Sequence, residues 1–307
     1  MSLLAHGQPD RCRRRSNKKS LLVSDICWHA AGMCGRYAAS KNPDELVEEF
    51  EVTVPPTEVL GPDYNVAPSR KVYAVLEREP KADTSPDPDA APVEPVRMLK
   101  AVRWGLVPSW AKDASIGNRL VNARSETVAE KPSFKRALAR RRCLIPADGY
   151  YEWYTPEPLP NSKVKPTKQP FFLHPSDGSI MAMAGLYELW RDPDKPDDDP
   201  HAWLWSMTVL TTTATDEFGR IHDRMPMTVA KDHWGVWLDP ELNDVGQAQS
   251  LLLPLSAVGL EVYPVSTLVN NVRNNGPELL TPAPLDDLPD LDANSPGSTG
   301  EQGALFS

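Results

Sequence analysis

The sequence predicts an α+β fold in which one domain is built on a largely antiparallel sheet with a few short helices. Three observations predict it. Segments rich in β-branched and aromatic residues recur through the middle of the chain, helical patterns are few, and Pro- and Asp-rich stretches fall between strands. With 307 residues, 40% of them hydrophobic, and nine Trp, the chain can bury a substantial core.

Seven segments have the composition of strands and four have the pattern of helices. The expected strands are 71–76, 98–104, 142–146, 150–154, 171–174, 179–189 and 203–211. The expected helices are 43–50, 132–140, 230–238 and 245–252, the first with Asn42 as its cap. Residues 80–95, 155–169 and 192–200 are interpreted as loop insertions between strands.

Both ends of the chain lack a folding pattern. Residues 1–32 carry six basic residues against two acidic ones without helical or strand periodicity, which predicts a disordered or misassigned leader. Residues 277–307 are rich in Pro, Asp, Ser and Gly and predict a disordered acidic tail. The folded domain is expected to span residues 33–276.

Charge and cysteine content limit the class of protein. The net charge is −9, yet residues 101–142 hold ten basic residues against three acidic ones, so an anionic partner remains compatible with the chain. The four cysteines form no C-x-x-C pair, which disfavours structural zinc and a disulfide framework and predicts a cytoplasmic protein. No apolar run reaches the ~20 residues of a membrane span.

Cys34 is the candidate nucleophile, because it directly follows Met33, a possible start of translation. An N-terminal cysteine carries an α-amine whose usual pKa is near neutrality beside a thiol, so one residue can attack an aldehyde twice. The competing interpretation is a small buried hydrophobic residue. The aldehyde chemistry therefore requires that the residues before Cys34 be absent from the mature protein.

Four polar residues are candidates for binding and proton transfer. Asn122 and Arg124 share one face of an extended segment, where they can hold a phosphate or orient a sugar, unless the segment is a capped turn before the helix near residue 132. Glu152 lies among aromatic residues, where desolvation raises a carboxyl pKa and suits general acid catalysis, unless it faces solvent. His222 can pass protons near neutral pH, with a structural loop histidine as the equal alternative.

Three further residues are interpreted either as contacts to nucleic acid or as part of the hydrophobic core. Arg36, two residues after Cys34, is placed to bracket a phosphodiester together with Arg124. Trp110 is expected to stack on a base of a single strand, whereas Trp104 is expected to be buried.

Nine motifs together resemble one known family. They are MCGRY at residue 33, YNVAPS at 64, RWGLVPSW at 103, NARSET at 122, EKPSF at 130, RRCLIPADGYYEW at 141, GLYELW at 185, IHDRMP at 221 and VSTLVNNVRNN at 265. The chain thereby resembles the SRAP family, the SOS response-associated peptidases or abasic-site processing proteins. The resemblance implies a barrel-like β core with peripheral helices and covalent capture of abasic sites in single-stranded DNA during the DNA damage response.

The resemblance also implies roles for residues. Catalytic roles fall on Cys34, Asn122, Glu152 and His222, and DNA-binding roles fall on Arg36, Arg124, Trp110 and Asn65. Glu152 is expected to help open the sugar to its aldehyde, the α-amine of Cys34 to form a Schiff base at C1′, and the thiolate to close a thiazolidine. His222 would shuttle protons and permit reversal or lyase-like strand cleavage. From the resemblance we expect a nucleoid-associated monomer that uses no cofactor, no metal and no membrane.

Two other functions remain open at this point. A cysteine peptidase that processes itself would use Cys34 as nucleophile, His222 as base and Asn122 as orienting residue or oxyanion donor. A non-catalytic single-stranded DNA-binding protein would bind without any covalent product. An intact α-amine is needed only for abasic-site capture, so blocking the amine separates the first function from the peptidase.

Overall fold

The computed structural model describes residues 35–79, 94–155, 168–214, 223–255 and 259–284. In these ranges the chain forms two sheets with a few short helices. The strands are β1 Tyr37–Ala39, β2 Asp63–Val66, β3 Lys71–Arg78, β4 Val96–Trp104, β5 Asn122–Arg124, β6 Arg142–Ala147, β7 Gly149–Tyr154, β8 Gln169–Pro175, β9 Met181–Arg191, β10 Trp203–Thr213, β11 Arg224–Val229, β12 Leu252–Pro254 and β13 Leu260–Pro264. The helices are α1 Pro43–Glu49, α2 Lys135–Arg140, α3 Trp234–Leu238 and α4 Val245–Ser250.

The larger sheet closes into a ring. Its order is β12-β11-β9-β6-β3-β4-β10-β5, and β10 also pairs with β9, so that β9, β6, β3, β4 and β10 follow one another around a circle. β10 pairs in parallel with β4 and β5, whereas the other pairings of the ring are antiparallel. A largely antiparallel, ring-like core with peripheral helices is the predicted fold class, which the structure confirms.

The smaller sheet is fully antiparallel and has the order β13-β8-β7-β1-β2. Its short strand β1 lies between β2 and β7, so Tyr37–Ala39 are enclosed on both sides by strand partners. This central place in the sheet fixes the position of the chain immediately before Tyr37.

Alternation along the ring strands separates two cores. On β3, Tyr73 and Val75 face a cluster that contains Phe50, Leu138 and Trp237 from the helices. The intervening residues face a second cluster, to which the smaller sheet contributes several side chains. These contributors are Tyr37, Val66, Tyr150, Phe171 and Leu173. The ring is therefore covered by helices on one face and packed against the smaller sheet on the other.

The expected strands are all present, several of them longer than predicted. Short strands such as β1, β2 and β12 were not predicted, because three or four residues give too little alternation to recognise. The helix expected over 245–252 ends at Ser250, and Leu252 begins β12. The helix expected from residue 132 begins at Lys135, after turns in which Phe134 N and Lys135 N both donate to Lys131 O.

The C-terminal boundary also differs from the prediction. Pro277–Leu280 form a 3₁₀ turn in which Leu279 is completely buried, and Ala283 N donates to Pro264 O at 2.8 Å. Leu279 packs with Val265 and Val269, so apolar contact with distant residues holds a segment whose own composition is polar. The fold extends to residue 284, while the predicted leader 1–32 and residues 285–307 lie outside the described ranges.

Part of the basic segment 101–142 is used inside the fold. Arg142 is 1% exposed and donates to the carbonyls of Leu138, Trp237 and Asp239. Arg141 pairs with Glu188 at 2.7 Å. The positive charge available to an anionic partner is therefore smaller than the sequence suggested. Across the described ranges, every helix is too short or too polar to cross a membrane.

Candidate active site

The site begins where β1 meets β7. Tyr37 pairs with Tyr150, and Tyr151 N donates to the carbonyl of Arg36 at 2.9 Å, so the antiparallel ladder continues past the assigned start of β1. Gly35 is thereby brought to the part of β7 that carries Glu152. The residue before Gly35 is Cys34, which lies outside the described residues, as does His222.

Glu152 is buried, with 3% of its surface exposed. It lies on β7 opposite Phe171 of β8, between Tyr151 and Trp153. The predicted burial of this carboxyl group is therefore confirmed, and the alternative of a solvent-facing strand residue is wrong. A buried carboxyl group is suited to exchange a proton with a bound substrate.

Arg36 is held by three groups. Its Nη1 donates to Asn65 Oδ1 at 2.7 Å and to Val269 O at 2.8 Å, and its guanidinium lies 5.4 Å from the centre of the Trp153 ring. Burial lowers the pKa of Arg36, and the nearby positive charge of Arg70 lowers it further. The Nη1 end of the guanidinium is thus fixed, while the side chain is only half-buried. A cation in this state can bind an anion that enters the site.

Asn65 has a different position from the one expected. It is 1% exposed, and its Nδ2 donates to the carbonyls of Val269, Asn271 and Asn274 at 3.0–3.2 Å. Because these protein groups occupy its amide, the geometry favours a positioning role over a direct DNA contact. Asn65 holds Arg36 on one side and the segment 266–275 on the other.

Asn122 and Arg124 lie on β5, which pairs in parallel with β10. Asn122 is 8% exposed and Arg124 is exposed, while Ala123 between them points into the helix-covered core. The two residues therefore share the other face of an extended strand, as the alternation predicts, and the alternative of a capped turn is wrong. The exposed guanidinium of Arg124 is available to a ligand.

Trp104 connects β5 to β1. Its Nε1 donates to Val121 O at 2.8 Å, directly before Asn122, and its ring meets that of Tyr37 edge-on at 5.1 Å. Trp104 is 1% exposed, which confirms its predicted burial. The strand that carries Asn122 and the strand that begins directly after Arg36 are thus linked through one rigid side chain, although they belong to different sheets.

A bidentate ion pair joins the turn after Arg124 to β11. Arg224 Nη1 and Nη2 donate to the two carboxylate oxygens of Glu126 at 2.8 and 3.0 Å, and Nη2 also donates to Thr211 O. Hydrogen bonds from Arg224 lower the pKa of Glu126 to about 2. Arg224, which is close to His222 in sequence, is thus engaged with Glu126.

The remaining predicted residue, Trp110, follows β4 and is 56% exposed. This exposure suits stacking on a base. Base stacking by Trp110 stays a prediction, and so do the roles of the other site residues. Trp153 and the segment 266–275 belong to quoted motifs, but no pattern in the sequence assigned them a place at the site. The signal that could have found this segment is its run of four Asn residues in VNNVRNN, since asparagines favour turns closed by side-chain hydrogen bonds.

Comparison with known proteins decides the family. Residues 33–272 match the sequence model of the family described as SOS response associated peptidase (SRAP). The chain belongs to the SRAP family. The SRAP match begins one residue before Cys34 and includes every predicted site residue. Within the described ranges, no three His, Cys, Asp or Glu side chains gather as a metal site requires.

Similar SRAP proteins have been named in bacteria and vertebrates. The chain is 38% identical to the abasic site processing protein YoqW of Bacillus subtilis over 81% of this chain and 99% of that protein. It is 30% identical to the abasic site processing protein HMCES of Xenopus tropicalis over 81% of this chain and 78% of that protein. A crystal structure of a protein from Bacteroides thetaiotaomicron, 23% identical, shares the fold with a TM-score of 0.64 over 81% of this chain and all of the other.

Proposed function

We propose that this protein captures abasic sites in single-stranded DNA by forming a covalent bond through Cys34. The observation that carries the proposal is the hydrogen bond from Tyr151 N to Arg36 O. Extending this antiparallel register by one residue sets Gly35 opposite Glu152, and facing Cα atoms in such pairs are about 4.5–5.5 Å apart. Cys34 is bonded directly to Gly35, so the proposal requires the amine and thiol of Cys34 to lie close to the Glu152 carboxyl.

The proposed reaction converts an aldehyde and an aminothiol into a thiazolidine and water. Glu152 transfers a proton as the sugar opens to its aldehyde. The α-amine of Cys34 adds to C1′, and the carbonyl oxygen leaves as water to give the imine. The thiolate then adds to the imine carbon, and the nitrogen takes up a proton. No oxidant or reductant is needed, because every step is an addition or a loss of water.

The neighbouring residues support binding of an anionic, opened sugar. Arg36 is half-buried beside Gly35 and oriented by Asn65, so it meets a phosphate without first having to be ordered. Arg124 supplies a second, exposed cation, and Asn122 supplies a buried amide two residues away on the same face of β5. Similarity to proteins named for abasic-site processing supports the same substrate class.

The test is a denaturing gel of single-stranded DNA that carries one abasic site. Protein beginning at Met33, with its mature N-terminus checked by mass spectrometry, is expected to give a retarded band, whereas Cys34→Ala and protein that retains residues 1–32 give none. Cys143→Ala is the matched cysteine control, because Cys143 is completely buried and burial raises its thiol pKa, so crosslinking is expected to persist. Absence of a band with the Met33 protein would exclude covalent capture.

A self-processing peptidase is the second candidate, because the matched family is described as a peptidase. It requires the thiol of Cys34 and not a free amine before it, so it would release residues 1–33 from the full chain. Time-resolved mass spectrometry of freshly purified full chain distinguishes the two. Cleavage before Cys34 that Cys34→Ala abolishes supports the peptidase, and an intact chain excludes it.

A further inference from the structure

Residues 266–275, called here the 266–275 loop, form a surface beside the proposed site that takes no part in the proposed reaction. It lies directly against the proposed site, since Val269 O accepts from Arg36 at 2.8 Å and Asn270 Oδ1 accepts from Trp153 Nε1 at 2.6 Å. Trp153 is the residue after Glu152. The loop thus contacts Arg36, two residues after Cys34, and Trp153, one residue after Glu152.

The 266–275 loop is anchored to the rest of the fold by apolar packing and by hydrogen bonds. Val269 is completely buried among Val265, Leu279 and residues of the smaller sheet. The amide of Asn65 bonds three of the loop's carbonyls. Asn274 Nδ2 donates to Leu268 O at 2.8 Å and closes the loop on itself.

This rigid loop presents apolar side chains to solvent. Leu268 is 54% exposed and Val272 is 42% exposed, on either side of the buried Val269. Apolar side chains held outward next to a binding site are typical of contact surfaces. Their neighbours are cationic: Arg273 is exposed, and Arg70 Nη2 donates to Val272 O at 3.0 Å. Asp63, 3.3 Å from Arg70, offsets one of these charges.

We infer that the 266–275 loop is a subsite for the nucleotide next to the abasic residue, with Leu268 and Val272 against its base and Arg273 at its phosphate. The inference rests on the proposed function. An abasic sugar has no base of its own, so the apolar contact that registers the strand must come from a neighbouring base. The loop offers aliphatic surface and positive charge together, which matches a nucleotide and does not match an acidic protein segment or a purely apolar partner.

The first experiment measures binding of the full chain to a fluorescent single-stranded oligonucleotide with a central tetrahydrofuran, an abasic analogue that cannot form an aldehyde. Leu268→Ser is expected to weaken binding by about fivefold to tenfold through lost apolar contact. Leu253→Ser is the matched control, because Leu253 is a 44% exposed leucine on the edge strand β12. The melting temperatures of both variants are expected to stay near that of the parent, since both side chains are largely exposed.

The decisive experiment removes the base instead of the side chain. Oligonucleotides carry a second tetrahydrofuran either 5′ or 3′ of the first. If Leu268 contacts a neighbouring base, the difference between parent and Leu268→Ser disappears with one of these oligonucleotides and persists with the other. An equal fold-change with all three oligonucleotides, or equal weakening by Leu253→Ser, would overturn the inference.

Salt dependence tests the phosphate contact. Arg273→Gln is expected to make the slope of log K against log salt concentration shallower by about 0.7, the loss of one contact to a single strand. An unchanged slope would remove Arg273 from the subsite. Failure of protein beginning at Met33 to crosslink to an oligonucleotide with an aldehyde-forming abasic site would instead refute the proposed function, so the two failures are distinguishable.

Discussion

Asn65 is predicted to stabilise the site by joining two parts of it. Asn65→Ala removes two N–H donors shared among three carbonyls and the acceptor for Arg36. At about 1 kcal/mol for each neutral hydrogen bond and about 1.5–3 kcal/mol for the bond to Arg36, the free energy of unfolding is expected to fall by about 3–5 kcal/mol. For a domain of this size the melting temperature should then fall by about 6–20 °C.

The comparison with Asn65→Asp tests the reason. Aspartate is isosteric and keeps an acceptor for Arg36, but its second oxygen faces three carbonyl oxygens and can donate to none of them when ionised. We expect Asn65→Asp to destabilise the protein at pH 7 by at least as much as Asn65→Ala. Tolerance of aspartate would show that only the Arg36 contact matters.

Hydrogen exchange locates the effect. Peptides covering residues 266–275 are expected to exchange faster in Asn65→Ala, because the loop loses the donor that bonds its carbonyls. Asn243→Ala is the control, since Asn243 is exposed and its Nδ2 bonds only one carbonyl among the described residues, that of Glu241. Unchanged exchange of the loop together with a loss of stability below about 1 kcal/mol would refute the positioning role of Asn65.

Three further predictions concern the scaffold. Arg142→Met should lower the free energy of unfolding by about 3–5 kcal/mol in denaturant titrations, because three buried carbonyls lose a charged donor, and a loss under 1 kcal/mol would contradict this. Arg224 lowers the pKa of Glu126 to about 2 from 4.5, so the pair stabilises the fold above pH 4.5 and this contribution disappears as pH falls through about 2. The stability difference between parent and Glu126→Gln should therefore shrink across that range, and a difference independent of pH would exclude the pair as its cause. Gly149→Ala should destabilise by about 1–3 kcal/mol in the same titrations, because the added Cβ would lie 2.4 Å from Leu173 O, and a melting temperature equal to the parent's would show that β7 moves aside.

Most long elements of the fold were predictable because their patterns are local. The strands near Lys71, Arg142 and Trp203 carry enough alternating apolar residues to be recognised without knowing their partners. β1 was not predictable, since three residues carry no period and its place depends on β2 and β7. Leu279 was assigned to a disordered tail for a similar reason, because its partners are distant in sequence.

The candidate site, like the fold, was predictable only in part. The residue types and motifs singled out Glu152, Asn122, Arg124 and Arg36, and the structure places Glu152 in the burial that its aromatic neighbours predicted. The family resemblance implied a DNA-binding role for Asn65 as for Arg36, whereas only the tertiary structure shows that the Asn65 amide bonds protein carbonyls. No local pattern distinguishes an amide that faces a ligand from one that faces the backbone.

By itself, the sequence predicted the fold class and the family and singled out a set of candidate reactive groups, because these depend on residue types and on patterns within short windows. The tertiary structure decided which groups meet. It brought Gly35 to Glu152 through the β1–β7 register, removed Arg142 from the apparent basic surface, and set the 266–275 loop against Arg36. Each of these depends on contacts between residues far apart in the chain, whose free energy is gained only when the whole domain packs.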